Sequence, residues 1–420
     1  MFEIRLKQMD SLAEETFEQF RLNSPPDGWF PAVQKLTWYI TKSNLPYAYM
    51  FFSLHLKSIS IHAAQILTLT GCPSGLLPTL TSIISTLPTS SLQFLSVNIP
   101  HLGELPRQYF TDSMSSVILR CGSSLTTYNS SIPLSKAAVN HLIQLPNLHS
   151  LLVRGPPPDY PASSLPLVFP PLTDLHLAEG AAHGWLRLLE RLDGTTSTIR
   201  GVIPLSEAKE SLKFLHVQDP PGFTIDASLI PPVRNFRNLT VLDIDTYCGG
   251  GKDRCAFKLN NDNIAELAAA LPQLQSLLLG HACSRNSCVT SAACLLSISV
   301  HCVKLESLEI HFNTTHFVED LKNISNDPRF EQILSLPRSS LRYLDVYDTP
   351  VTLHDHDFET VVKEMVGIFP SLRGCEGYER GWYELSRRLR NLQEDRPQDI
   401  VGECDDFGFL PRLMHIPTAD

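Results

Sequence analysis

Leu274-Gln275-Ser276-Leu277-Leu278-Leu279 and Leu305-Glu306-Ser307-Leu308-Glu309-Ile310 begin 31 residues apart and share one spacing, L-x-x-L-x-[LIV]. In an extended strand the fourth and sixth positions point to one face, while the third, fifth and seventh point to the other. Each stretch therefore reads as a short strand with one buried face. The spacing recurs outward in both directions. Upstream it starts at Val33, Leu56, Leu92, Leu125, Leu148, Leu172, Leu212 and Leu239, and downstream at Leu341, with a degenerate twelfth copy at Leu372. Intervals run from 23 to 40 residues with a mean near 31. Self-similarity on that scale marks a repeat architecture.

The repeat explains a compositional bias. There are 63 leucines beside 31 prolines and 21 glycines in 420 residues. Length alone suggests two or three domains of roughly 150 residues each, whereas stacked repeats make one elongated unit. A net charge of −10 argues against a general binder of nucleic acid or anionic membrane, since either needs surplus Lys and Arg. No segment supplies the roughly 18–20 uninterrupted apolar residues of a membrane span; the best run, Ile264 to Leu279, contains Glu266, Gln273 and Gln275. Met1-Phe2-Glu3-Ile4-Arg5 has no apolar signal core, so a cytoplasmic or nuclear, monomeric protein is expected. Ten scattered cysteines fit reduced thiols rather than a disulfide framework. Asn238-Leu239-Thr240 and Asn313-Thr314-Thr315, which would accept a glycan in a secreted protein, are then coincidental.

Helical patterns precede several strands. Ser135 is placed to cap a helix carrying Ala138, Leu142 and Leu145, Asp262 one carrying Ile264, Leu267 and Leu271, and Asp357 one carrying Val361, Val362, Met365 and Phe369. Proline follows in Phe30-Pro31, Leu145-Pro146, Phe169-Pro170, Leu271-Pro272 and Phe369-Pro370. Its missing N–H and its steric effect on the preceding residue stop each helix just before the strand. Helix, proline stop and short strand make one turn of a solenoid.

That unit resembles the long-period, helix-containing leucine-rich repeat over about residues 30 to 375. The expected fold is an α/β, irregular, horseshoe-shaped solenoid of about 11–12 strand–helix coils with a C-terminal capping helix. The resemblance also implies an Asn or Cys eight residues after the first Leu, bonding backbone between coils. Only Asn313 fills that slot, which elsewhere holds Pro100, Pro156, Gly180, Pro220 or Thr349. Longer phrases narrow the comparison: Phe30-Pro31-Ala32-Val33-Gln34-Lys35-Leu36-Thr37-Trp38, the stretch from Cys302 to Thr315, Leu344-Asp345-Val346-Tyr347, and Asp357-Phe358-Glu359-Thr360-Val361-Val362. These are similar to the repeat region of the F-box leucine-rich-repeat proteins of mushroom-forming, basidiomycete fungi.

In that family an F-box docks on the Skp1 adaptor of a cullin-based ubiquitin ligase while the repeats select the substrate. The resemblance therefore implies the substrate-recognition part of an SCF-type receptor. The 32 residues before the first repeat lack the leucine-proline-acidic opening of an F-box. Partnership with Skp1 and cullin is expected only if the full-length product carries one, and the alternative is a free-standing repeat scaffold or inhibitor. Ser11 to Leu22, with Leu12, Phe17 and Phe20, resembles the helix that joins an F-box to its repeats.

Binding is expected on the strand face, through its third, fifth and seventh positions. The candidate partner-binding residues are Phe94, Arg154, Asp174, His176, Phe214, His216, Asp243, Asp245, Glu309, His311, Tyr343, Asp345 and Tyr347. Charge is graded along this face. Early strands offer hydroxyls with Lys35, His62 and Arg154, and late strands offer Asp243, Asp245, Glu309 and Asp345 beside Tyr343, Tyr347 and His311. Carboxylates with aromatics suit a protein substrate that presents a basic segment.

Other constellations are weaker. Cys248, Cys255, His281, Cys283 and Cys288 could supply four N/S ligands for zinc, although Cys-x6-Cys and His-x-Cys-x4-Cys match no standard zinc spacing. No metal or other cofactor is expected. His354-Asp355-His356-Asp357 precedes a helix and reads as a cap. Gly249-Gly250-Gly251-Lys252 lacks the spacing of a phosphate loop, no Gly-x-Ser-x-Gly nucleophile turn occurs, and a non-enzyme is expected. The chain divides into a helical segment or linker at 1–32, the solenoid at 33–375, a capping helix at 376–395 carrying Trp382, Leu385, Leu389 and Leu392, and an acidic tail at 396–420. Pro156–Pro171 and Asp219–Asn235 read as excursion loops within the solenoid.

Overall fold

The computed structural model describes residues 2–6, 19, 30–41, 44–63, 76–99, 104–154, 171–178, 210–219, 225–246, 257–280, 288–327, 339–346, 349, 351, 353–377 and 380–394. Within them lie thirteen strands: β1 (Phe2–Leu6), β2 (Val33–Tyr39), β3 (Ser58–His62), β4 (Phe94–Asn98), β5 (Thr127–Ser130), β6 (Ser150–Arg154), β7 (Asp174–Ala178), β8 (Phe214–Asp219), β9 (Val241–Thr246), β10 (Ser276–Leu279), β11 (Ser307–Ile310), β12 (Tyr343–Asp345) and β13 (Gly374–Glu376). They form one sheet whose spatial order is the chain order, and all neighbours are parallel. Each strand thus pairs only with the coils before and after it, which is the leucine-rich-repeat solenoid.

Register follows from the repeat. Leu277 sits opposite Leu242 on one side and Leu308 on the other, and positions one and four of every coil from Leu56 to Leu344 are buried leucines, except that Ile59 and Tyr128, both fully buried, replace two of them. The second position of each coil carries a backbone ladder. Gln34, Lys57, Gln93, Thr126, His149, Thr173, Lys213, Thr240, Gln275, Glu306, Arg342 and Arg373 are joined in sequence, each N–H donating to the preceding coil's carbonyl at 2.7–2.9 Å. Buried backbone groups need such partners.

Side chains reinforce the stacking at a place the turn column did not suggest. The residue just ahead of the first leucine is Ser or Asn in many coils and reaches back one coil. Ser91 Oγ donates to the Leu56 carbonyl, Ser124 to Leu92, Ser211 to Leu172, Asn147 Nδ2 to Ser123 and Asn238 Nδ2 to Glu210, all at 2.7–2.9 Å. Asn313, the single match to the expected column, folds its Oδ1 onto the N–H of Thr315 at 2.8 Å in an Asx turn, while its own N–H donates to Thr290 of the preceding coil.

Among the described residues eight α-helices run between strands, α1 (Leu76–Ser85), α2 (Glu104–Arg120), α3 (Lys136–Leu142), α4 (Ile230–Val233), α5 (Asn261–Ala270), α6 (Cys294–His301), α7 (Phe317–Ser325) and α8 (Asp355–Ile368), and a ninth, α9 (Arg380–Glu394), follows β13. Two 3-10 helices, Leu45–Phe51 and Ala227–Leu229, join them. Ser135 caps α3 as expected, accepting the Ala138 N–H at 3.3 Å. The other two caps differ. Asn260, not Asp262, caps α5 in a reciprocal pair with Asn263 (2.8 and 3.2 Å), leaving Asp262 as an acid in the first turn. Asp357 is the third residue of α8 and accepts the N–H of His354. Proline follows the last helical turn in α5 and α8, whose C-caps are Leu271 and Phe369. Where the chain turns after β10, Gly280 has φ +75°, and a Cβ there would lie 2.9 Å from the Phe257 ring. Asp219–Asn235, read as a loop, contains the Ala227–Leu229 turn and α4, with Ile225 bridged to Phe257 of the next coil.

The ends depart from expectation in one respect and agree in another. Phe2–Leu6, read as part of a helical linker, forms β1 and pairs in parallel with β2, so the sheet starts before Val33. Alternation within Phe-Glu-Ile-Arg-Leu fits a strand, but it lacks the leading leucine that identified the other coils. The segment Ser11–Leu22 falls, except for Gln19, outside the described residues. At the other end α9 covers the last coil with Trp382, Leu385 and Leu389, all buried, whereas Leu392 is 43% exposed and lies past the covered edge. Gly381 lets α9 close in: a Cβ there would stand 2.7 Å from Val351 Cγ1. Trp382 Nε1 donates to the Thr349 carbonyl at 2.8 Å, and its ring meets Phe317 edge-on. The acidic tail at 396–420 lies outside the described residues. No helix among the described residues is long and apolar enough to cross a membrane.

Candidate functional site

Because the strands are in register, residues of one repeat position form rows across the sheet. The fifth-position row runs Thr37, Ser60, Ser96, Asn129, Leu152, His176, His216, Asp243, Leu278, Glu309, Asp345 and Glu376. Neighbouring members stand about 4.8 Å apart. Glu376 belongs to this row although the reading by repeats stopped short of it. Cys375 replaces the usual Leu at the fourth position of the last coil, and counting five from Leu372 would have found the acid.

At the centre of the row, His176, His216 and Asp243 occupy three adjacent strands. The His216 Nδ1–Asp243 Oδ2 distance is 2.5 Å, and the two imidazoles lie 5.3 Å apart centre to centre. Both partners of the pair are only about a fifth to a quarter exposed (21% and 24%), while Asp243 Oδ1 is buried without a hydrogen-bond partner. Burial pushes the His176 imidazole below its ordinary value, with nearby His216 acting in the same direction and Asp174 and Asp243 opposing it. The pair thus holds a carboxylate in a fixed orientation on the strand face.

Flanking rows supply anchoring surface. In the third-position row Phe214 is 40% and Tyr343 51% exposed, large apolar values for residues inside a sheet. Phe94 and Asp174 in the same row are half-buried, and Asp174 Oδ2 accepts the Thr173 hydroxyl at 2.7 Å. Toward the first strands the seventh-position row stacks Tyr39 on His62 at 4.8 Å, with Lys35 at the other end of β2 opposite Ser58 and Arg154 half-buried further along. From Glu309 to Glu376 three carboxylates occupy consecutive strands. Like charges directly opposite one another oppose folding.

Not all candidate residues reach this face. His311 is 1% exposed: Ile310 and Phe312 on either side are core residues, and the chain turns inward after β11. Its Nδ1 lies 2.8 Å from Thr349 Oγ1, and its carbonyl accepts the Cys288 thiol, so this histidine ties the last coils to the cap. Asp245 is on β9, but its side chain, like all of Tyr347, lies outside the described residues. Cys248, Cys255, His281 and Cys283 also fall outside them. Cys288 is buried and engaged as above. Among the described residues no group of three or more His, Cys, Asp or Glu is placed to hold a metal ion. His354 and His356 stack at 5.7 Å on the first turn of α8, and His354 and Asp357 serve the helix start.

No protein-family model matches the sequence, and no curated protein matches it. Among solved structures, a chain of the crystal structure of the Rad7 and Elc1 complex in yeast is similar at a TM-score of 0.36 and 14% identity, over 77% of this chain and 76% of that one.

Proposed function

We propose that the chain is a protein-recognition module that binds its partner across the strand face, and that it serves as the substrate-recognition part of an SCF-type ubiquitin-ligase receptor. The observation that carries the binding reading is the second half of that face. Phe214 and Tyr343 are large apolar groups left exposed within a sheet, next to the fixed His216–Asp243 pair and the Glu309–Asp345–Glu376 row. Aromatic anchors combined with carboxylates favour a partner segment rich in Lys or Arg, the carboxylates steering and orienting it. The residues proposed to contact it are Asp174, His176, Phe214, His216, Asp243, Glu309, Tyr343 and Asp345, with Phe94 and Arg154 at the margin. Every strand from β2 to β12 has both edges paired, so along that stretch a partner is read through side chains rather than by adding a strand. The ligase assignment rests on the sequence phrases that resemble those of F-box repeat proteins.

Affinity capture of the full-length native product tests both levels, comparing wild type with the combined Asp243→Asn, Glu309→Gln and Asp345→Asn variant. Recovery of Skp1 and cullin, with a third protein lost from the variant, is the expected result. A third protein lost from the variant without Skp1 or cullin would move the chain to the scaffold or inhibitor class. A partner set insensitive to the variant would refute the face as a binding surface.

A further inference from the structure

Granting that the strand face is the binding surface, the spacing of its rows limits what the bound segment can be. We infer that it is an extended stretch crossing β9 to β12 that carries basic side chains at positions i and i+4 and an apolar side chain at i+2. Asp243, Leu278, Glu309 and Asp345 are successive members of one row, as the register pairs Asp243–Leu278, Leu278–Glu309 and Glu309–Asp345 establish. At about 4.8 Å per strand, Asp243 and Asp345 are about 14 Å apart. An extended chain rises about 3.3–3.4 Å per residue and shows every second side chain to one face. Residues i and i+4 are then about 13.5 Å apart, so the pitch of the ligand matches the distance between the two carboxylates.

The residue between them falls about 6.7 Å from the first contact, between Leu278 at about 4.8 Å and Glu309 at about 9.6 Å and nearer to Leu278, the one apolar member of the row between Asp243 and Asp345. A charge there would lose water against the Leu278 side chain, whereas an apolar group would gain contact. At either end an aromatic stands next to the acid, Phe214 near Asp243 and Tyr343 near Asp345. Each can cover the aliphatic stem or the cationic head of a Lys or Arg. His216 Nδ1 on Asp243 Oδ2 fixes the first carboxylate before the ligand arrives, lowering the ordering cost of the contact.

The same geometry gives the site a pH signature. The charged or titratable groups around the imidazoles are Asp174 on β7 with His176, Arg154 on β6, His216 on β8 and Asp243 on β9. Protonating His176 adds positive charge beside the acceptor. A basic ligand therefore binds more weakly on acidification, while an acidic ligand would bind more tightly.

The test uses two blocked synthetic peptides of equal composition, Gly-Ser-Arg-Ser-Leu-Ser-Arg-Ser-Gly and Gly-Ser-Arg-Ser-Leu-Arg-Ser-Ser-Gly, titrated onto the full chain by fluorescence anisotropy. The first peptide, with i,i+4 spacing, is expected to bind roughly tenfold more tightly, the worth of one charge-assisted contact. Asp345→Asn should erase that preference while leaving the melting temperature unchanged, and affinity should fall between pH 7.5 and 5.5. Equal affinity for the two spacings, or a preference that survives Asp345→Asn, overturns the inference. If that happens while partner capture still depends on Asp243, Glu309 and Asp345, the recognition reading stands and only the motif fails. If capture is insensitive as well, both fail.

Discussion

The first strands of the face, β2 to β6, and the last, β9 to β13, share a backbone and differ in what they show to solvent. Both halves carry the same second-position ladder, at 2.7–2.9 Å throughout, and the same buried first and fourth positions. Yet the fifth-position row reads Thr, Ser, Ser, Asn, Leu in one half and Asp, Leu, Glu, Asp, Glu in the other. Folding information and surface information occupy separate positions in each repeat, so one can vary while the other is held. The net charge of −10 therefore has a local expression that composition hides.

The sharpest way to break the symmetry is at the cap. Trp382→Ala removes a fully buried indole and leaves the Thr349 carbonyl without its donor. It should cost about 3–5 kcal/mol, with β11–β13 losing hydrogen-exchange protection before β2–β6. Uniform loss across both halves would show that the solenoid unfolds as one unit. Next come paired truncations, Leu151→Ala on β6 and Leu308→Ala on β11, both buried to 1% exposure or less. Chemical denaturation should give about 2–5 kcal/mol for each, and a gap of more than about 2 kcal/mol would mean that the halves are not built alike.

Smaller effects follow at the inter-coil side chains and on the surface. Ser124→Ala deletes the hydroxyl bond to Leu92 and should cost about 0.5–1.5 kcal/mol. Asn238→Ala, which removes the equivalent bond to Glu210 in the second half, should cost about the same. Glu309→Gln should change stability by no more than about 0.5 kcal/mol while weakening a basic ligand, and Ser60→Ala in the matching row should do neither. Acidity acts with one sign in the first half, at His62 on β3, and between the halves, at His176 on β7. Burial lowers the folded-state value of His62 and of His176 below the ordinary 6.5. The unfolded chain then binds protons first, so their stabilising contribution is complete above pH 6.5 and is lost as pH falls toward the folded-state value. Thermal melts between pH 7.5 and 5 should flatten in His176→Gln relative to wild type.

Strands were the legible part of this sequence, because a leucine at a fixed offset reports burial directly. Eleven strand positions and the twelfth at Leu372 were readable for that reason, and β1 was missed because Phe2–Leu6 has no leading leucine to align. Helix caps were harder. At α5 and α8 several polar residues compete, and only the backbone angles at Asn260 and His354 decide which one caps. The inter-coil bonds carry no leucine signal, because Ser91, Ser124 and Ser211 make them from just ahead of the strand, outside the spacing that reports burial. On the face, alternation placed Asp243, Glu309 and Asp345 together without help. It could not foresee that the chain bends inward after Ile310 and buries His311, since the two-residue period ends where the strand does.

The claim that the second half of the face is the binding surface can be examined residue by residue. Carbodiimide labelling of carboxylates, read by mass spectrometry with and without the captured partner, compares Asp243, Glu309, Asp345 and Glu376 with Glu359 and Asp262 on the helices. The account predicts protection of the four strand acids and unchanged labelling of the two helical ones. Protection confined to Glu359 and Asp262, with the strand acids still fully reactive, would contradict it.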